Sequence, residues 1–236
     1  MENNQKIAVV TGASAGIGEA CARALAADGW TVVLAARRLE RLEKIAAEIG
    51  GRAVQLDVTD DQAVEKFSAE LGACDLLVNN AGGARGLDAI EDANLEDWRW
   101  MYDTNVLGTL RMTKALMPAL LEANGLVINI GSVAGRVPYV GGAGYNAAKH
   151  GVAAMSRVLR LETHDKPLRV CEIDPGRVET DFSLLRFKGD EERARQVYEG
   201  KLNLQAEDIG EAVRWVASLP AHVNIDTMLI MPADQV

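Results

Sequence analysis

Short apolar, β-branched runs alternate along this chain with longer stretches in which apolar positions recur every three or four residues. Ile7 to Thr11, Thr31 to Ala36, Ala53 to Asp57, Asp75 to Asn79, Leu126 to Ile130, Arg169 to Ile173 and Thr227 to Met231 read as strands. Runs without a polar alternate suit strands covered on both faces, so seven of them separated by helical segments predict an α/β fold: a doubly wound, seven-stranded parallel sheet with helices on both faces. Between the second and third runs, Leu39, Leu42, Ile45, Ala46 and Ile49 define one face of an amphipathic helix that closes at Gly50-Gly51. Asp60 has the character of the next helix's N-cap.

Two features break the rhythm. The glycine-rich loop from Gly82 to Asp88 and the charged, strandless stretch from Pro175 to Asn203 are long for connections in one domain, and predict binding loops, with a substrate lid around 176–204. The segments from Leu95 to Leu121 and from Tyr145 to Leu161 are apolar on more than one face. A solvated helix gains nothing from that, so a subunit interface and a homo-oligomer, with a homotetramer as the leading form, are expected.

Composition narrows the field. A chain of 236 residues with 48% hydrophobic content suits one domain over 1–236 with its own core. Its net charge of −9 repels phosphate backbones and anionic headgroups, so neither nucleic acid nor membrane is an expected partner. The longest apolar run, Val32 to Ala36, is far short of a bilayer span. The opening MENNQKIAVVTG carries no export core, and with three scattered cysteines, Cys21, Cys74 and Cys171, the expected location is cytoplasmic. His150, His164 and His222 form no ligand-spaced set, so no metal is expected, and they read as packing or surface residues.

The first strand runs straight into TGASAGIG, followed by an apolar-periodic helix. Gly12, Gly16 and Gly18 permit a tight turn, close approach of backbone to a pyrophosphate and tight helix–strand packing, while Ser14 and Ile17 lie in the same loop. Strand before and helix after give the Rossmann context that makes a dinucleotide reading specific. At the end of the second strand an acid would accept from the 2′-hydroxyl of NAD; here Arg37 and Arg38 stand instead, and guanidinium forks suit a 2′-phosphate. The expected cofactor is NADP(H).

In YNAAK, Tyr145 and Lys149 are four apart, one above the other on a helix face, about 6 Å along the axis. Bringing a tyrosine from pKa ~10 to near 7 takes ~4 kcal/mol of preference for the phenolate, which an ammonium and an oxidised nicotinamide can share. Ser132 follows the strand LVINI, at the carboxyl edge where α/β sheets bind ligands.

With TGASAGIG, NNAG at 79–82, Asn105 in TNVLG, Ser132, YNAAK and Pro175-Gly176 in this order, the chain resembles the short-chain dehydrogenase/reductase family along its whole length. The resemblance implies that Tyr145 is acid or base toward the substrate oxygen, that Lys149 lowers its pKa and holds the nicotinamide ribose, that Ser132 orients the carbonyl and that Asn105 supports a relay water. It also implies that Asp57 and Val58 contact adenine, that Asn80 lies along the cofactor, and that Pro175, Gly176, Val178 and Thr180 line the nicotinamide side. RFKGD (186–190) and SLPAHVNIDTMLIMP (218–232) are similar to NADP-dependent 3-hydroxy acid dehydrogenases, and the terminal PADQV to clavulanate-dehydrogenase-like reductases.

The expected activity is hydride transfer between NADP(H) and a small-molecule alcohol or carbonyl, with a 3-hydroxy acid or its semialdehyde as the leading class. Reduction of a bulkier aldehyde or ketone, and a non-catalytic NADP(H) sensor, are the alternatives. An acid substrate needs a cation near Ser132 and Tyr145, for which Arg85, Arg136, Arg177 and Arg186 are the candidates by position.

Overall fold

A computed structural model describes residues 6–235. The start of the leader reading, residues 1–5, and the last residue of PADQV lie outside them. Seven strands form one parallel sheet in the order β3-β2-β1-β4-β5-β6-β7. They are β1 (Ile7–Thr11), β2 (Thr31–Ala36), β3 (Arg52–Gln55), β4 (Leu76–Asn79), β5 (Leu126–Ile130), β6 (Arg169–Pro175) and β7 (Thr227–Ile230). The order reverses between β1 and β4, and the crevice beyond the carboxyl ends of these two strands is where such a sheet receives a ligand.

Helices α1 (Gly16–Ala27), α2 (Leu39–Ile49) and α9 (Ala206–Ser218) cover one face through Leu25, Leu42 and Ile209. The other face is covered by α3 (Asp61–Leu71) and α5 (Gly108–Glu122), which bury Phe67, Met112, Leu116 and Leu120. Each such side chain taken from water is worth ~1.5–3 kcal/mol, which sets the sheet as the rigid base of the loops above it. The smaller α4 (Leu95–Tyr102) packs with α6 (Ala143–Glu162), while α7 (Phe182–Arg186) and α8 (Glu191–Tyr198) lie within the expected lid segment. That segment also has a strand-like bridge where its ends meet, Val178 to Leu204.

Asp60 caps α3 by accepting from the Ala63 amide, and Gly50, in the left-handed region, ends α2. The apolar segment from Leu95 to Leu121 is not one continuous α-helix. A turn of π-helix, Asp103–Leu107, divides α4 from α5, because the Asn105 side chain donates to the carbonyls of Met101 (2.7 Å) and Gly83 (2.9 Å). β3 stops two residues before the expected Asp57, whose carboxylate accepts from the amide and hydroxyl of Thr59 and so turns the chain. β6 runs two residues beyond Ile173, carrying Asp174 and Pro175 into the sheet edge.

One buried polar ladder crosses the sheet. Asn79, Asn129 and Glu172 lie in register on β4, β5 and β6. Asn79 donates to Thr113 and to Asn129, and Asn129 to Ser156, each at 2.9 Å. Replacing Asn129 by Ala strands buried partners on both sides, and an unmet buried group costs ~1–3 kcal/mol. The variant is expected to lose ~2–4 kcal/mol in urea unfolding, whereas an unchanged midpoint would show the ladder to be dispensable.

Candidate active site

At the end of β1, Thr11 Oγ1 accepts from the Asn80 and Ala81 amides (2.9 and 3.0 Å), fixing the β4 exit beside the glycine loop. Gly12 and Gly16 take φ +65° and +56°, where a side chain is strained. A Cβ on Gly18 would strike the Gly12 carbonyl and Asn80 Nδ2, so the loop closes on α1 only with glycine there. Ala15, the N-cap of α1, has no side-chain acceptor, and the first-turn amides are left for an incoming anion.

The glycine loop borders a cleft of about 700 Å³ that also meets Ser14, Ile17, Arg37, Arg38, Asp57 and Val58. It continues past Asn80 to Ser132, Tyr145 and Lys149, and is bounded by Pro175, Gly176, Val178 and Thr180 on the lid side. The expected site residues thus come together along one groove, with the exceptions of Gly18, which packs against the Gly12 carbonyl and Asn80, and of Asn105. The Asn105 side chain is fully engaged with Met101 and Gly83, and also accepts from the Gly83 amide at 3.2 Å, so it shapes the cleft wall while Thr104 faces the groove. The Thr104 hydroxyl is buried without a partner.

Arg38 donates through Nε and Nη2 to Ser14 Oγ at 3.1 and 2.9 Å. Burial first, then the charges of Arg41 and Arg37, disfavour its cationic form, with Asp181 opposing them. Such a cluster of guanidinium groups is relieved by an added anion, and together with the uncapped α1 terminus it fits a phosphorylated dinucleotide.

Ser132 lies two residues past β5 and is nine-tenths buried, its Oγ accepting from the Ala134 amide at 3.1 Å. Tyr145 and Lys149 project from the first half of α6. Lys149 Nζ lies 5.8 Å from the Tyr145 ring centroid and donates to the Ile130 carbonyl at 2.8 Å. The balance of forces on the phenol differs from the expectation. Burial raises the Tyr145 pKa, and the strongest opposing influence is the hydrogen bond with Ser132, followed at a distance by Arg186. Lys149, itself buried, is pushed down to about 8 by loss of water. The chain's own groups therefore keep Tyr145 protonated, and the cation expected to acidify it is weakened by the same burial.

Sequence reasoning missed Asp174. This carboxylate, fully buried, accepts from the Ser132 amide (3.0 Å) and Arg136 Nε (2.5 Å). Glu172 beside it has its pKa raised, by burial and then by the Asp174 charge. The available signal was an acid directly before Pro175-Gly176 at the end of a buried strand. Phe182, packed on Tyr145 with ring centroids 5.5 Å apart, was likewise invisible, because only the fold brings the start of α7 to that ring. The histidines stay clear of it: His150 and His164 meet helix carbonyls, and His222 is exposed. The three thiols are free and buried.

The pattern of the short chain dehydrogenase family matches residues 6–190. The chain belongs to that family. It is 55% identical over 232 residues to an uncharacterized oxidoreductase of Mycobacterium tuberculosis, covering 98% of this chain and 92% of the relative. It is 48% identical over 237 residues to an NADP-dependent 3-hydroxy acid dehydrogenase of Salmonella typhi, covering 97% and 96%. Among solved structures, the closed form of serine dehydrogenase complexed with NADP+ matches with a TM-score of 0.95 at 45% identity, covering 98% of this chain and 96% of that one. The protein is an NADP(H)-dependent oxidoreductase acting on a hydroxyl or carbonyl group. Among the described residues no metal-ligating cluster occurs and no helix is long and apolar enough to cross a membrane.

Two outcomes follow from this geometry. Arg38→Leu removes a cation from the 2′-phosphate end, and is expected to raise KM for NADP+ roughly 30- to 100-fold while kcat/KM with NAD+ holds; equal losses with both coenzymes would place Arg38 elsewhere. Lys149→Met is expected to abolish most turnover and to change how stability depends on pH. Because the pKa of Lys149 is lowered from 10.5 to about 8, the unfolded chain binds its proton more tightly. The cost is complete below pH 8, ~3 kcal/mol before the hydrogen bond to Ile130 is counted, and fades as pH rises through 8 to 10.5. The Tm difference between wild type and variant should therefore move in the wild type's favour as pH rises from 8 toward 10, and a difference that stays fixed over that range would refute it.

Proposed function

We propose that this dehydrogenase interconverts a 3-hydroxy acid and the corresponding 3-oxo acid or semialdehyde, within one domain over 1–236 whose lid spans about 176–204. The observation that carries the reading is similarity to 3-hydroxy acid and serine dehydrogenases over nearly the whole chain, lid segment included. NADP(H), when bound, supplies or accepts the hydride at nicotinamide C4.

The remaining work belongs to side chains. Gly12, Gly16, Gly18, Ser14 and Ile17 hold the pyrophosphate, and Arg37 and Arg38 the 2′-phosphate. Asp57 and Val58 border the adenine, Asn80 lies along the coenzyme, and Pro175, Gly176, Val178 and Thr180 cover its nicotinamide half. Ser132 and Tyr145 hold the substrate oxygen between them. In oxidation, Tyr145 takes the hydroxyl proton as the C–H hydride departs; in reduction it returns a proton to the forming alkoxide. Lys149 orients the ribose and the phenol, and Asn105 acts by fixing the Gly83 wall.

Exposed Tyr102 on α4, Leu107 in the π-helical turn and Leu110 on α5, with Val158 and Leu161 on α6, support assembly as a homo-oligomer, in the tetrameric form. A cytoplasmic location fits the three unpaired thiols.

Burial that holds Tyr145 protonated gives the two directions different pH responses. Oxidation needs the phenolate and should accelerate as pH climbs from about 7 to 10, while carbonyl reduction, served by the neutral phenol, should not. Tyr145→Phe is expected to lower kcat roughly 10²- to 10⁴-fold in both directions with NADPH binding kept. Following NADP+ reduction on 3-hydroxy acids, neutral alcohols and bulky carbonyl compounds tests the substrate class. Turnover confined to the bulky carbonyl compounds would overturn it.

A further inference from the structure

The four arginines expected by position differ in what they already hold. Arg136 is paired with Asp174 at 2.5 Å, Arg177 with Asp234 at 2.6 Å, and Arg85 with Asp97 at 3.3 Å while lying 4.1 Å over the Trp100 ring. Arg186, the last residue of α7, pairs with no carboxylate among the described residues. Its Nε donates to the Gly86 carbonyl (2.8 Å) and its Nη1 to the Tyr139 hydroxyl (3.0 Å). Its Nη2 is buried and has no acceptor.

A guanidinium that is tethered by two neutral acceptors, has no carboxylate beside it and buries an unmet N–H lacks one thing, an anionic oxygen. Its location says whose. The Arg186 Cζ lies 6.0 Å from the Tyr145 ring centroid, and the residue borders both the coenzyme cleft and a smaller adjoining pocket lined by Trp98, Met101, Gly142 and Tyr145. In a 3-hydroxy acid the carboxyl carbon is two C–C bonds from the carbon bearing the reacting oxygen, about 2.5 Å through space. A cation packed against the acid/base ring is close enough to meet that carboxylate, whereas Arg177 is turned away toward Asp234.

We propose that Arg186 is the anchor for the substrate carboxylate, with Gly86 and Tyr139 holding its fork in position. This rests on the 3-hydroxy acid reading for the identity of the substrate, but not for the presence of a carboxylate site. The tether has a second consequence. The Gly86 amide donates to the Arg186 carbonyl at 3.0 Å, so a carboxylate on Arg186 sits where lid helix and glycine-rich loop are already joined.

The test pairs binding with turnover. Butyrate, which has a carboxylate and no hydroxyl to oxidise, is titrated calorimetrically into the NADP+-loaded enzyme, and kinetics are run on 3-hydroxybutyrate and on its methyl ester. Arg186→Met is expected to weaken butyrate binding and raise KM for the acid at least 30-fold, with a loss on the ester no more than a tenth as large. Arg186→Lys, which keeps charge without the fork, should fall between. A wild-type enzyme that ignores butyrate, variants that bind it as well as wild type, or equal losses on acid and ester would each overturn the proposal. Should wild type bind butyrate through Arg186 yet oxidise no 3-hydroxy acid, the anchor stands and the substrate reading fails.

Discussion

The site depends on one buried ammonium. Lys149 reaches from α6 to the last carbonyl of β5, and that single hydrogen bond locks the helix bearing Tyr145 to the strand that leads into Ser132. Burying an ammonium is expensive, and loss of water pushes its pKa down to about 8. Asp174 is the group that most favours its charged form, and the same carboxylate takes the Ser132 amide. Strand end, serine loop and helix are thus held by charges that are costly separately and tolerable together.

This arrangement explains why the acidic pair on β6 sits in an otherwise apolar sheet. Glu172 belongs to the ladder of Asn129 and Ser156 by register, and Asp174 to the catalytic edge one pleat further on. Gly131 separates the two strand ends with no room to spare: a Cβ there would meet the Asp174 carboxylate and, at 2.8 Å, Glu172 Oε1. The polar core is therefore the inner support of the catalytic edge, and stability has been spent on its position.

Much of this was legible in the chain itself. The strand runs carried the sheet because their apolar continuity has no other use, and β1, β2 and β5 fall on the expected residues. The glycine loop and the Tyr145–Lys149 spacing were readable because local geometry alone dictates them. What could not be read was set by contacts distant in sequence. Asp174 and Ser132 are 42 residues apart, and Arg186 and Gly86 are 100 apart. The raised pKa of Tyr145 was missed for the same reason: spacing shows that a lysine is near, but not that both groups are dry.

Residues 180–186 touch both ends of the groove. Within seven residues of chain, the Thr180 side chain lies against Gly16 of the phosphate loop, Asp181 approaches Arg41 at 3.8 Å, Phe182 covers the Tyr145 ring and Arg186 reaches Gly86. Ordering such a segment costs backbone and side-chain entropy, and no single one of these contacts is large. Ligands that touch both the arginine cluster and the Tyr145 end add their contacts to the same short stretch. Contacts made at either end of the groove therefore bear on one and the same short stretch of chain.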